Sequence, residues 1–285
     1  MDWYWLSLIV LFCYGMQYFL YKVAAEKRCN TAWVSFTFML TVGVLATTMF
    51  LFLQESVVDW PLMIIFSLVN AVIFLLTTIT RMESLKHIPA SISFPLVRMS
   101  TVFVVIFSLV YFKDKLSPYQ AIGILVAIMA VYLLTRYDKA AGATDKRYGL
   151  GLALAIIAIF SGAVSTIIQK FAALAINKLA YMATTNYMNT FFSLGLRKKL
   201  QTKKENPNHA NAVAIGVGIG IVNFLGFYFV LQAFEKGPLS LVAALTSLSF
   251  VIAIILSIII YREKLTWKTV WGIALSIAAI LLLGM

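Results

Sequence analysis

Charged residues are scarce in this sequence of 285 residues: Asp, Glu, Lys and Arg make up 12%, whereas hydrophobic residues make up 62%. So few charged groups cannot cover the surface of a water-soluble fold of this size, which excludes that class of protein. Cysteine and histidine are also rare, with two residues of each. Cys13 and Cys29 would lie about 24 Å apart along one helix, which excludes a disulfide between them. His87 and His209 stand alone, and we expect neither a metal ion nor a cofactor.

Long apolar runs, in contrast, fill most of the chain. A membrane-spanning helix needs about 20 apolar residues, and ten runs of roughly that length are bounded by charge, proline or asparagine. The runs are continuously apolar, without the alternation typical of a β-barrel strand. We therefore predict an all-α integral membrane protein with ten transmembrane helices. The predicted spans are residues 3–21, 32–53, 61–80, 90–112, 118–135, 149–169, 177–196, 212–233, 239–261 and 267–284.

An internal repeat relates the two halves of the chain. Residues 88–134 align without gaps on residues 237–283, at an offset of 149 positions. The matched pairs include Pro89 with Pro238, Lys115 with Lys264, and Gly123 with Gly272. We assign the repeats to residues 1–139 and 148–285, with five spans in each. An odd number of spans gives the two repeats opposite orientations, which is the inverted-repeat plan of secondary transporters.

The residues around the fourth span of each repeat resemble those of a known family. The first copy reads Leu85-Lys86-x-x-Pro89-Ala90-Ser91, then Lys113-Asp114-Lys115-Leu116-Ser117 and Gln120-x-x-Gly123. The second reads Phe234-Glu235-Lys236-Gly237-Pro238-Leu239-Ser240, then Arg262-Glu263-Lys264-Leu265 and Gly272. Both are similar to the EamA-type repeat of the drug/metabolite transporter superfamily. The resemblance implies a central cavity walled by the first four helices of each repeat, peripheral fifth and tenth helices, and substrates that range from amino acids and drugs to nucleotide sugars.

The net charge of +12 indicates orientation in the membrane rather than a nucleic-acid partner. Seventeen of the 23 Lys and Arg residues fall in the odd-numbered loops and five in the even-numbered loops. Cytoplasmic loops carry the excess of Lys and Arg, so we predict cytoplasmic odd loops and extracytoplasmic termini in a cell (inner or plasma) membrane. The family resemblance implies the opposite orientation, with both termini in the cytoplasm.

Arg98 is the one charged residue placed well inside a predicted span, about 12 Å along the fourth helix. Burying it costs about 3 kcal/mol on insertion scales, which makes it a candidate functional residue. It could bind an anionic group of the substrate in a bidentate manner, through two parallel hydrogen bonds. Alternatively, its side chain could reach the cytoplasmic interface or pair with Glu83.

Other polar residues in or near the spans could contribute to the same cavity. Lys22 and Lys170 end the first helix of each repeat, where a cation would also interact favourably with the helix C-terminus. Asparagines within spans could bind substrate or join helices to one another. The remaining candidates for the cavity are Tyr14, Gln17, Tyr18, Asn70, Gln169, Asn186, Asn223 and Tyr228.

Two patterns concern helix packing. Gly216-x-Gly218-x-Gly220 has no preceding strand, so it predicts a close helix contact at Ala212, Gly216 and Gly220 rather than a nucleotide site. Pro95 is placed to kink the fourth span near Arg98.

These observations favour a secondary transporter that moves a small anionic or zwitterionic metabolite by alternating access. The alternatives are a flippase of a lipid-linked phosphorylated headgroup and a multidrug or organic-cation exporter. The cation exporter is disfavoured because no carboxylate lies at the membrane centre, unless Glu83 reaches the cavity. No catalytic constellation lies at membrane depth, so we do not expect an enzyme. The expected partners are a small-molecule substrate and membrane lipid, without nucleic acid, in a monomer or homodimer.

Overall fold

The computed structural model describes residues 1–53, 59–88, 93, 96–135, 146–196, 209–261 and 267–285, and their regular structure is helical. The first half contains α1 (Trp3–Glu26), α2 (Thr31–Phe52), α3 (Trp60–Ser84), α4 (Ser100–Phe107) with a π-helical turn at Ser108–Phe112, and α5 (Pro118–Thr135). The second half contains α6 (Lys146–Ala175), α7 (Lys178–Leu196), α8 (Ala210–Lys236), α9 (Leu239–Ser247), α10 (Phe250–Tyr261) and α11 (Trp267–Leu283).

Polar side chains cap the N-termini of two helices. Asn30 caps α2 by accepting hydrogen bonds from the main-chain nitrogens of Ala32 and Trp33, at 2.9 and 3.2 Å. Asp59 caps α3 in the same way, at 2.9 Å from the nitrogen of Leu62. These side chains satisfy amide groups that a helix N-terminus leaves without an intrahelical partner.

Six helices of the described chain are long and apolar enough to cross a membrane. They are Trp3–Glu26, Thr31–Phe52, Trp60–Ser84, Tyr148–Ala175, Ala210–Lys236 and the combined Leu239–Tyr261. Three further apolar helices, Leu96–Phe112, Pro118–Ala130 and Val270–Leu283, are shorter. Helix α7 belongs to neither group because of its many Thr and Asn residues, so the count of ten spans stays a prediction.

The helices extend beyond several predicted boundaries. Helix α3 continues to Ser84, four residues past the predicted end of the third span, and so contains Arg81. Arg81 is one of the 17 cations that the Lys and Arg count places in the odd-numbered loops, and for this residue the loop assignment is wrong. The predicted span 239–261 is divided into α9 and α10 by a short turn before Phe250. Pro95, the 262–265 charged turn and the repeat boundary at residue 139 lie outside the described residues.

Helices from the two repeats pack against each other throughout the bundle. Helix α1 contacts α8, α9 and α10, while α2 contacts α7 and α8, and α3 contacts α6 and α7. The last helices of the two repeats, α5 and α11, pack together. The halves therefore form one interleaved bundle.

The predicted small-residue contact joins α8 to α2. A Cβ atom at Gly220 would lie 2.5 Å from the Cβ of Thr41, and one at Gly216 would lie 2.8 Å from the carbonyl oxygen of Val34. Neither position has room for a side chain, which confirms the close helix contact.

The two ends of α1 identify the two faces of the bundle. At its N-terminus, the Tyr4 hydroxyl donates to the carbonyl oxygen of Ile280 at 3.2 Å, and Lys236 reaches the carbonyl oxygen of Met1 at 3.5 Å. We call this side the termini face. At the other end of α1, the ammonium group of Lys22 lies 4.9 Å from the ring centre of Tyr261. We call that side the opposite face.

Candidate functional site

Arg98 lies in the helical turn before α4 and contacts both repeats. Its Nη2 donates to the hydroxyl oxygen of Tyr18 on α1 and, at 2.9 Å, to the hydroxyl of Ser249 between α9 and α10. The guanidinium also sits 4.5 Å from the ring centre of Tyr18. Tyr18 and Arg98 were both predicted cavity residues, and the structure brings them together. Glu83 is not their partner, because it accepts hydrogen bonds from Thr31 and, at 2.9 Å, from Lys86.

Arg81 on α3 is a second guanidinium at the same place. Its Nη1 donates to the Tyr18 hydroxyl at 3.3 Å, and its guanidinium carbon lies 5.2 Å from the centre of that ring. The Nε atom of Arg81 is buried and has no hydrogen-bond partner among the described residues. Sequence reasoning missed Arg81, although its spacing to Asn70, Thr77 and Ser84 is helical and all three of those residues are buried.

We call Tyr18, Arg81 and Arg98 the arginine site. The two guanidinium groups converge on one hydroxyl, and neither hydrogen-bonds to a carboxylate of the described chain. Val97 and Phe250 also line the space between them, which is too small to hold a water molecule. Two partly desolvated cations that lack a carboxylate partner among the described residues are energetically unfavourable. An anionic group bound at this point would supply the missing charge.

Gln17 and Asn223 form a buried polar contact between the repeats. Asn223 Nδ2 donates to Gln17 Oε1 at 3.0 Å, and Gln17 Nε2 donates to the Tyr21 hydroxyl at 2.5 Å. The carbonyl oxygen of the Asn223 side chain has no partner in the described residues. This contact ties α1 to α8 at the residue directly before Tyr18.

A matching contact involves Asn70 in the first repeat. Ser165 on α6 donates to Asn70 Oδ1 at 2.9 Å, and Gln169 Nε2 donates to the Ser165 hydroxyl at 3.1 Å. Ser165 follows Gln17 by 148 positions, the same interval that separates Lys22 from Lys170 at the ends of the first helices of the two repeats. In both repeats, therefore, the first helix is hydrogen-bonded to an asparagine on the third helix of the other repeat.

Neither lysine candidate lines the arginine site. Lys170 is buried and donates to the carbonyl oxygens of Phe234 and Gly237, the latter at 2.9 Å, so it satisfies the C-terminus of α8 rather than that of its own helix. Lys22 is buried beside Tyr261 near the opposite face. For Lys170, the geometry is that of a cation at a helix C-terminus.

The other predicted cavity residues are Asn186, Tyr14 and Tyr228, and each has its own surroundings. Asn186 donates to the carbonyl oxygen of Met182 in its own helix at 2.8 Å, while its Oδ1 has no partner in the described chain. Tyr14 is half-buried one turn before Tyr18 and packs close to Gly226. Tyr228 is half-buried against the core. None of these three hydrogen-bonds to Arg81 or Arg98.

Asp114, near the termini face, is a residue that the sequence did not single out. One of its oxygens accepts hydrogen bonds from the Ser108 hydroxyl at 2.5 Å and from Ser240, through the main-chain nitrogen at 3.0 Å and the hydroxyl at 2.5 Å. Asp114 thus caps the N-terminus of α9 from the other repeat. Helix α9 is buried along its whole length and is held by Asp114 at its start and by Arg98 just beyond its end, through Ser249.

A wide apolar groove opens between α3 and α7 on the outside of the bundle. Val72, Leu76 and Ile79 line it from α3, and Phe191 and Leu194 line it from α7. It ends on α3 two residues before Arg81. In the described part of the chain, no three His, Cys, Asp or Glu side chains come together to hold a metal ion.

Comparison with known proteins agrees with this architecture. The model of the EamA-like transporter family matches residues 1–136 and again 149–285. An uncharacterized transporter from Archaeoglobus fulgidus is 26% identical over 210 residues, which are 74% of this chain and 72% of the relative. A protein of known crystal structure aligns over 98% of both chains with a TM-score of 0.74 at 14% identity, which shows the fold alone.

Proposed function

Because this chain belongs to the EamA-like transporter family, we propose that it is a secondary transporter, not an enzyme, that moves a small anionic or zwitterionic metabolite across the cell membrane. The relative from Archaeoglobus fulgidus is also a transporter. Transport would proceed by alternating access through ten spans in two inverted repeats, as the odd number of spans in each repeat suggests. We further propose that both termini are extracytoplasmic, on the basis of the Lys and Arg distribution.

The arginine site carries this proposal. Two guanidinium groups reach one neutral hydroxyl inside a membrane bundle, and no carboxylate of the described residues hydrogen-bonds to either. Such a pair attracts an anionic group, and guanidinium geometry suits carboxylate or phosphate oxygens. The same positive charge disfavours an organic cation as the substrate.

Contacts at the two ends of α9 support alternating access. Arg98 joins the first repeat to Ser249 on the side of the opposite face, and Asp114 joins it to Ser240 on the side of the termini face. An anion that takes over the hydrogen bonds of Arg98 would release Ser249 and free one end of α9. Such a segment, held at both ends by exchangeable hydrogen bonds, can adopt two arrangements, which alternating access requires.

A second candidate function is the flipping of a lipid with a phosphorylated headgroup. The apolar groove between α3 and α7 favours it, since this groove could hold an acyl chain and ends two residues from Arg81. The substrate would then enter sideways from the membrane and not from water.

An efflux assay tests the proposal. The purified protein is reconstituted in liposomes loaded with a mixture of cell metabolites, and the metabolites that leave are identified by mass spectrometry. We expect the wild type to release at least one anionic or zwitterionic metabolite, Arg98→Gln to lose this release, and Lys27→Gln, a change of an exposed cation, to keep it. Release by Arg98→Gln at the wild-type rate, or no selective release by the wild type, would overturn the proposal.

A further inference from the structure

The two arginines of the arginine site are directed at a single point. Arg81 Nη1 is 3.3 Å from the Tyr18 hydroxyl oxygen, and Arg98 Nη2 donates to the same atom. A hydroxyl oxygen has two lone pairs, so these two donors occupy both of them. A hydroxyl group carries no formal charge, however, and no carboxylate of the described residues hydrogen-bonds to either guanidinium group.

From this geometry we infer that the site binds one dianionic oxyanion group, the phosphate of a phosphomonoester, at the position that the Tyr18 hydroxyl holds in this structure. The inference rests on the proposed transport function and specifies the substrate class of that site.

The charge of the site favours a dianion. A single carboxylate would neutralise one guanidinium group and leave the other half-buried without a counter-charge, which is costly. A phosphomonoester carries a charge of about −1.5 to −2 at pH 7. It therefore matches the two arginines.

The convergence of the donors favours one compact group over two separate carboxylates. A dicarboxylate places its charges on groups some distance apart, whereas both arginines here reach the same atom. A phosphate also offers three strong acceptor oxygens. The site has donors for them in the two Nη atoms and in the buried Nε of Arg81, which has no partner in the described chain.

The ring and the hydroxyl group of Tyr18 then have different roles at the site. Its ring lies beside both guanidinium groups, at 4.5 and 5.2 Å, and stabilises them by cation–π interaction. Its hydroxyl occupies the donors that a phosphate would use. Tyr18→Phe keeps the ring and removes the hydroxyl, which competes with phosphate for the same donors. The variant should therefore bind phosphate more tightly. If the hydroxyl were instead a ligand of the substrate, the same change would weaken binding.

Binding to the full-length protein in lipid nanodiscs tests the inference. The soluble probes are glycerol 3-phosphate, acetate, succinate and glycine, measured by calorimetry and by thermal shift. In a separate experiment, phosphatidic acid in the nanodisc lipid replaces glycerol 3-phosphate as the source of the phosphate group. We expect glycerol 3-phosphate or phosphatidic acid to bind more tightly than every carboxylate by at least about tenfold, which corresponds to the loss of one charge-assisted hydrogen bond.

The variants assign the binding to the site. Arg81→Gln and Arg98→Gln should each lose at least about tenfold in phosphate affinity, Lys27→Gln should lose none, and Tyr18→Phe should gain about tenfold. If Arg81→Gln is unstable, Arg81→Lys replaces it, because this variant keeps the positive charge. It should lose only part of the preference for phosphate over acetate.

The outcomes separate the inference from the transport proposal. Binding of glycerol 3-phosphate supports a soluble substrate, and binding of phosphatidic acid alone supports a lipid source of the same phosphate. Equal or tighter binding of a carboxylate, or weaker phosphate binding by Tyr18→Phe, overturns the inference even if the liposomes show transport. Phosphate binding without any release from liposomes leaves the inference standing and overturns the transport proposal.

Discussion

Asp114, in the first repeat, accepts two hydrogen bonds from Ser240 in the second, one from its main-chain nitrogen and one from its hydroxyl. The two residues are 126 positions apart in the chain. Together they fasten the start of α9 near the termini face, while Arg98 holds Ser249 beyond the end of the same helix. One link between the repeats at this face is therefore a charged acceptor at a helix N-terminus, where a negative charge is most favourable.

Replacing Asp114 by Asn should destabilise the protein by about 1–3 kcal/mol, since an amide supplies one neutral acceptor where the carboxylate accepts three hydrogen bonds. The measurement is the unfolding temperature of the purified protein. Glu235→Gln is the matched control on the same face, because Glu235 is exposed and forms a 2.9 Å ion pair with Lys178. Such a pair contributes at most about 1 kcal/mol. Equal losses in the two variants would contradict the capping role of Asp114.

Gly220→Ala should destabilise the bundle, whereas Gly218→Ala should be close to neutral. The added Cβ would lie 2.5 Å from Thr41 at position 220 but no closer than 3.8 Å to any neighbouring side chain at position 218. Overpacking of this kind costs about 1–3 kcal/mol. Thermal unfolding of the two variants side by side measures the difference, and a loss at Gly218 as large as that at Gly220 would argue against the close contact between α8 and α2.

The Gln17–Asn223 contact should show an energetic coupling of about 0.6–2 kcal/mol, the range found for hydrogen bonds between helices in membranes. A double-mutant cycle with Gln17→Leu and Asn223→Leu measures it. Asn70 and Ser165, with a direct hydrogen bond of 2.9 Å, form the corresponding pair in the other half and should couple similarly. Pairing Gln17→Leu with Ser165→Ala instead should give additive effects, because these two residues form no hydrogen bond with each other. Strong coupling in that mixed pair would contradict the assignment of two separate contacts.

Lys170→Met should destabilise the protein more than Lys178→Met. Lys170 is buried and donates to two main-chain carbonyl oxygens at the end of α8, which the methionine would leave without these hydrogen bonds. Lys178 is partly exposed in its ion pair with Glu235. Leaving buried acceptors unpaired costs about 1–3 kcal/mol each. The unfolding temperatures of both variants test this expectation, and equal values would show that Lys170 does not hold the end of α8.

The sequence predicted what depends on local pattern. Continuous apolar runs predicted the helical membrane protein, and the depth of Arg98 in its span made it the leading site candidate. Tyr18 was included because it is a polar residue on a predicted span. These inferences needed only the composition and periodicity of single segments.

The sequence did not predict what depends on helix ends and distant partners. Arg81 was missed because α3 continues past the last residue of the apolar run, so a cation that seemed to begin a loop belongs to the helix. Asp114 and Ser249 were missed because their partners are 126 and 151 positions away. Pairing at such distances follows from how the two repeats pack and not from any local pattern.

Ser249 follows Arg98 by 151 residues, and this interval affects how the protein is made. At about 5–20 residues per second, the ribosome adds Ser249 roughly 8–30 s after Arg98. Tyr18 precedes Arg98 by 80 residues and has already been synthesised when the arginine enters the membrane. Of these two hydrogen-bond partners of Arg98, the tyrosine is the one already present during that interval. The same side chain that lies beside the arginines in the finished bundle can thus shelter Arg98 from lipid while the second half of the chain is still being translated.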